Sequence, residues 1–99
     1  MPTNNKKEIE ITKEQAEKIL GDDCIERMRI GEITVYCNNC GPVGPITDMT
    51  IDRYILNDLN DVILEGTCNN CNARITRYFE TGEIEESKKI AEKIWRNNE

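Results

Sequence analysis

The chain has 99 residues, of which 37% are apolar, 32% charged and only 5% aromatic, so it has room for one domain with a thin core that needs a supplementary staple. It contains no histidine, which excludes His-dependent acid–base and nucleophile chemistry and mixed Cys/His zinc sites. The net charge of −6 is concentrated in the middle of the chain and opposes a polyanionic partner such as DNA.

Residues 1–8 are polar and are expected to fray. Ile9 and Ile11 then alternate with Glu8 and Glu10, the pattern of a short extended piece. Thr12 followed by Gln15 is a capping-box signature for a helix over 13–20, with Ala16, Ile19 and Leu20 on one face and Gly21 as its stop. Residues 22–30 read two ways. Asp23 and Glu26 suit the start of a second short helix, whereas Met28 and Ile30 suit a strand.

From Ile33 the alternation with Val35 and Cys37 predicts a strand that runs into Cys37. The GPVGP stretch at 41–45 predicts a rigid turn or loop. Further strands are predicted over 49–56, 62–67 and 73–80, separated by turn chemistry at 57–61 and a tight turn at Asn69 and Asn70. The inward set of the last strand is Ala73, Ile75 and Phe79. After Thr81 and Gly82, residues 84–97 predict an amphipathic helix whose apolar face is Ile84, Ala91, Ile94 and Trp95, with Ile90 beside it. Glutamates open this helix and Lys93 and Arg96 close it, in accord with its dipole. No apolar run approaches the ~18–20 residues of a membrane span, and no signal-peptide core follows Lys6 and Lys7, so a cytoplasmic protein without a membrane partner is expected.

The strongest signal is an internal echo, CNNC at 37–40 and CNNC at 68–71. Each C-x2-C turn brings two sulfurs to one side of a tight loop, and two such knuckles can build a tetrahedral S4 cage. Cys37, Cys40, Cys68 and Cys71 are therefore the predicted ligands of one structural Zn2+, with Fe as the alternative ion for the same donor set. Two disulfides or a redox pair are further alternatives, disfavoured in a reducing compartment and by the doubling of the motif. The residue after a knuckle needs a positive φ so that backbone N–H groups can face the sulfurs; Gly41 meets this need after the first pair and Asn72 after the second. Cys24 is left over and reads as a small buried hydrophobe, or else as a spare thiol.

On these residues, positions 33–80 resemble a zinc ribbon: two knuckles of the form C-x2-C-G, the second on a hairpin of a three-stranded antiparallel sheet, with Asn72 where that family carries glycine. The resemblance covers about half of the chain and implies a ribbon of antiparallel strands. Joined to the helices that periodicity predicts on either side, it gives a single α+β domain in three parts: an N-terminal helical extension at 1–30, a ribbon of three to four strands at 31–82, and a C-terminal helix at 83–99 packed on the sheet. Zinc ribbons serve in transcription factors, RNA polymerase subunits, ribosomal proteins and topoisomerases, so the fold does not select a function.

A closed S4 site has no open coordination position, and neither paired carboxylates nor a glycine-rich phosphate loop is evident, so an enzyme is not expected. The expected role is a protein-interaction or adaptor module, with Ile90, Ile94 and Trp95 as the candidate partner or homodimer face if they are not consumed by the core. Three alternatives remain open. One is a nucleic-acid- or transcription-complex-binding ribbon using Arg74, Arg77 and Tyr78. The second is a rubredoxin-like iron electron carrier. The third is an acidic inhibitor that mimics nucleic acid, of the kind found in phage or mobile elements.

Overall fold

A computed structural model describes residues 7–97. The expected fraying of residues 1–6 lies outside that range, and Glu8 belongs to regular structure. Strand β1 (Glu8–Ile11) leads into helix α1 (Lys13–Leu20) and helix α2 (Asp22–Arg29). A small hairpin follows, β2 (Val35–Cys37) and β3 (Gly41–Val43), and then β4 (Met49–Asn57), β5 (Val62–Cys68), β6 (Arg74–Phe79) and α3 (Glu85–Asn97). Single 3-10 turns at Ile46–Asp48 and Thr81–Glu83 precede β4 and α3. The protein is α+β, as its sequence predicts.

The main sheet is antiparallel in the order β1-β4-β5-β6, and β2-β3 forms a separate two-stranded sheet. The predicted ribbon strands thus divide. The two long hairpins recruit the N-terminal piece β1 as an edge strand, with Ile9 opposite Leu56 and Ile11 opposite Tyr54. The first knuckle instead closes its own hairpin, where Cys37 pairs with Gly41 and Val35 with Val43. The GPVGP stretch is therefore part strand: Pro42 lacks an N–H, but a two-stranded hairpin has an outer edge that needs none.

Capping chemistry explains α1. The Thr12 hydroxyl accepts from the Gln15 N–H at 3.1 Å and the Gln15 side chain accepts from the Thr12 N–H at 2.9 Å. The ambiguity at 22–30 resolves as helix. Asp22 and Asp23 occupy its first turn and Arg27 and Arg29 its last, which favours the helical dipole. Cys24 and Met28, four residues apart, then fall on one face; Met28 is buried in the core and Cys24 packs against it.

Two apolar clusters lie on the same face of the main sheet. The larger holds Ile11, Leu56, Val62, Leu64 and Phe79 from the strands, covered by Ala16 and Ile19 of α1, Met28 of α2 and Ala91 of α3. The smaller joins Val35, Cys37 and Val43 of the β2-β3 hairpin to Met49, Cys68 and Ile75 of the sheet. Ile51 borders both. Ile75 and Phe79 are buried as predicted, and Ala73 is half-buried. Ile84 departs from its predicted place. It precedes α3 and is largely exposed, because the 3-10 turn delays the helix until Glu85.

Beside the smaller cluster the register slips between Ile51 and Arg53, leaving Asp52 as the extra residue of a bulge. Gly66 faces Ile51 there, and a Cβ on it would run into the Thr50 carbonyl oxygen and the Met49 methyl. The sheet needs a bare backbone at this position. Gly66→Ala is expected to cost about 2–3 kcal/mol, read as a lower urea midpoint at unchanged slope. A variant as stable as the parent would refute this close approach.

Candidate metal centre

The two knuckles come from different sheets and meet over the smaller cluster. Cys37 ends β2 and Cys40 precedes Gly41 of β3, while Cys68 ends β5 and Cys71 lies in the turn before β6. All four sulfurs lie within 4.8 Å of one another. Cys37 Sγ is 3.4 Å from Cys71 Sγ, and Cys40 Sγ is 4.0 Å from Cys68 Sγ. Zn–S bonds of about 2.3 Å in a tetrahedron place sulfurs about 3.8 Å apart, so the donor set fits a single divalent ion. None of the five cysteines is in a disulfide.

The backbone shapes the site as the motif requires. Gly41 has φ +90° and Asn72 has φ +67°, the two left-handed residues placed directly after the knuckles. In the second knuckle the Asn72 N–H donates to the Cys68 carbonyl at 2.9 Å, and the Cys68 N–H to the Ala73 carbonyl at 2.8 Å. A β-branched residue would be strained here, whereas glycine would not. Asn72→Val is expected to lower stability by about 1–2 kcal/mol, and Asn72→Gly to preserve or raise it. Thermal melts of the two variants that shift together would show that φ at 72 is not limiting.

Protonation without a bound cation is uneven. The backbone N–H groups of Cys40 and Asn39, with the former the stronger influence, favour the Cys37 thiolate and hold its pKa down to about 7. At Cys71 the Ala73 N–H pulls in the same direction, but the three neighbouring thiols and burial outweigh it and push the pKa up to about 12. Four sulfurs this close cannot all ionise unless a cation neutralises them, which is the electrostatic reason a metal suits the site.

Comparison with protein-family models, curated proteins and solved structures finds no match to this chain. The metal-site assignment therefore stands on the cysteine geometry, which is compatible with a zinc ribbon.

The second knuckle is fastened by a residue that the spacing did not single out. Asn69 accepts from the Thr50 hydroxyl at 2.6 Å and donates to the Thr47 carbonyl at 2.9 Å, and its backbone N–H donates to the Asp48 carbonyl at 3.0 Å. Asn70 Nδ2 donates to Cys40 Sγ at 3.3 Å, reaching across from one knuckle to the other. The repeated Asn-Asn pair was the available signal, but nothing in the sequence separates these amides from Asn38 and Asn39.

The other candidate residues lie elsewhere. Arg74 and Tyr78 share one face of β6, and Arg77 points to the opposite face, over the Phe79 ring at 4.7 Å. Arg74 is paired with the bulge residue Asp52, and Arg53 with Glu65 and Glu10. The structure therefore does not assemble Arg74, Arg77 and Tyr78 into one basic surface. Ile90, Ile94 and Trp95 are half-buried against the larger cluster, and Trp95 Nε1 donates to the Asn57 carbonyl at 3.0 Å. Cys24 is half-buried. Burial pushes its thiol up, against the opposing pull of Arg27 and Arg77 and with a smaller push from Asp23.

Proposed function

We propose that this protein is a non-enzymatic zinc-ribbon module in which Cys37, Cys40, Cys68 and Cys71 hold one structural Zn2+, and that it serves as an adaptor for another protein. The observation that carries the reading is the convergence of four sulfurs from two knuckles within 4.8 Å. Four protein thiolates complete a tetrahedral shell, so the ion has no vacant position for water or substrate and acts on folding. The adaptor role is supported by what the chain offers beyond that site: a surface with net negative charge and the exposed side chains Tyr36, Leu59 and Tyr78. No helix among the described residues is long and apolar enough to cross a membrane.

Native mass spectrometry before and after chelation, with elemental analysis, tests the metal. One zinc per chain, lost together with folded charge states, is the expected result. A red protein carrying iron would replace the structural role with electron transfer. Affinity capture from the source cell tests the adaptor role, using metal-loaded protein as bait and Cys37→Ser as the unfolded control. A partner that binds equally to both baits would count against it.

A further inference from the structure

The four cysteines are not equally buried. Cys37 and Cys68 are buried, with at most 1% exposure, and Cys71 is half-buried, whereas Cys40 is exposed. A cleft of about 380 Å³ opens beside it, lined by Cys40, Cys68, Pro42, Val43, Asn69 and Asn70. The side-chain amide from Asn70 to Cys40 Sγ is also the single side-chain N–H donated to any of these sulfurs among the described residues. A donated N–H draws electron density from a thiolate and reduces its nucleophilicity.

We infer that Cys40 is the modification site through which small soft electrophiles, peroxides in particular, enter the metal centre, and that Asn70 is the residue that restrains it. This rests on the tetrathiolate reading above. With hydrogen peroxide, the Cys40 sulfur attacks one oxygen, an S–O bond forms as the O–O bond breaks, and hydroxide leaves. Sulfur loses two electrons and becomes a sulfenic acid. The Cys68 sulfur, 4.0 Å away, then attacks the Cys40 sulfur, an S–S bond forms, the S–O bond breaks and a second hydroxide leaves. Two thiolate donors are lost from the site, which no longer has the ligand count for a tetrahedral ion. Cys24 is a poor competitor, because its burial disfavours the thiolate.

The test uses the full-length metal-loaded protein in a Cys24→Ser background. Iodoacetamide and hydrogen peroxide serve as probes, peptide mass mapping reads the modified residue, and a chromogenic chelator reads metal release. Metal content is measured first by native mass spectrometry, so a chain that binds no metal is recognised as a failure of the tetrathiolate reading rather than of this one. Loaded protein is expected to be alkylated first at Cys40 and to yield a Cys40–Cys68 disulfide with peroxide. Asn70→Ala is expected to keep one metal per chain and to accelerate both reactions about three- to tenfold, the effect of losing one hydrogen bond to the sulfur. First modification at Cys71, Cys37 or Cys68, or equal rates for Asn70→Ala and the parent, would overturn the inference.

Discussion

With a metal held by the four cysteines as proposed, its chelation is expected to unfold the protein at 25 °C. Structural zinc contributes about 10–16 kcal/mol of apparent binding free energy in small zinc peptides, against a total stability of about 5–15 kcal/mol for an ordinary domain. The dependence is sharpened here by where the sulfurs lie. Cys37 and Cys68 are core residues of the smaller cluster, and the β2-β3 hairpin has three-residue strands that cannot persist alone. Without the ion, that hairpin is attached to the sheet chiefly by the packing of Val35 and Val43. Adding EDTA should collapse the far-ultraviolet circular dichroism and red-shift the Trp95 emission, and one equivalent of Zn2+ should restore both. The same linkage fixes the sign of the pH dependence. Bound cysteines stay thiolate well below their free pKa of about 8.5, so their contribution is complete at alkaline pH and is lost as acid reprotonates them. A chain whose melting temperature is unmoved by EDTA would sink the metal-dependent fold.

Removing α3 is the second change expected to abolish folding. Ending the chain at Gly82 strips Ala91 from the centre of the larger cluster, together with the flanking Ile90, Ile94 and Trp95. It also leaves the Ile19 carbonyl, which accepts from the Ser87 hydroxyl at 2.6 Å, without that donor, and removes the Trp95 indole from the Asn57 carbonyl, which keeps only the Asn60 N–H. The cover over Leu56, Val62 and Phe79 is then incomplete, and a sheet with one bare apolar face does not stand alone. Trp95→Ala isolates part of this effect and is expected to cost about 3 kcal/mol, toward the lower end for aromatic truncation because the indole is half-buried. Its urea midpoint should fall while the zinc content stays at one per chain. A truncated chain with native-like circular dichroism and a cooperative melt would mean that α3 is an appendage, and would return Ile90, Ile94 and Trp95 to candidacy as a partner surface.

Much of this was legible along the chain because the signals were local. The Thr12–Gln15 cap, the strands over 49–56 and 62–67, and the Gly41 and Asn72 conformations each depend on a few neighbouring residues, and each is found in the structure. The bulge at Asp52, however, interrupts the alternation of β4 and turns Tyr54 and Leu56, not Arg53 and Ile55, to the face of Met49 and Ile51. The ambiguity at 22–30 was of another kind. A short segment with apolar residues at both helical and strand spacing cannot choose, and the choice came from the pocket that receives Met28. Ile84 was misplaced because periodicity does not register a 3-10 turn that shifts the start of a helix by one residue. The two-residue period of a strand puts Arg74, Thr76 and Tyr78 on one face of β6, as the register shows, and the same period sends Arg77 to the other face, away from the candidate surface.

The metal site has the same two-level origin. Ligand identity is a matter of thiol chemistry and the C-x2-C turn, both local, so the four cysteines could be chosen without a fold. Which cysteine is exposed, which amide crosses between the knuckles, and the separation of the first knuckle onto its own hairpin all depend on how β2-β3 docks on the main sheet. Docking is settled by volumes and distances between residues far apart in the chain. A pattern of neighbours carries spacing and periodicity, but the exposure of Cys40 and the close approach at Gly66 exist only once the two sheets are packed together.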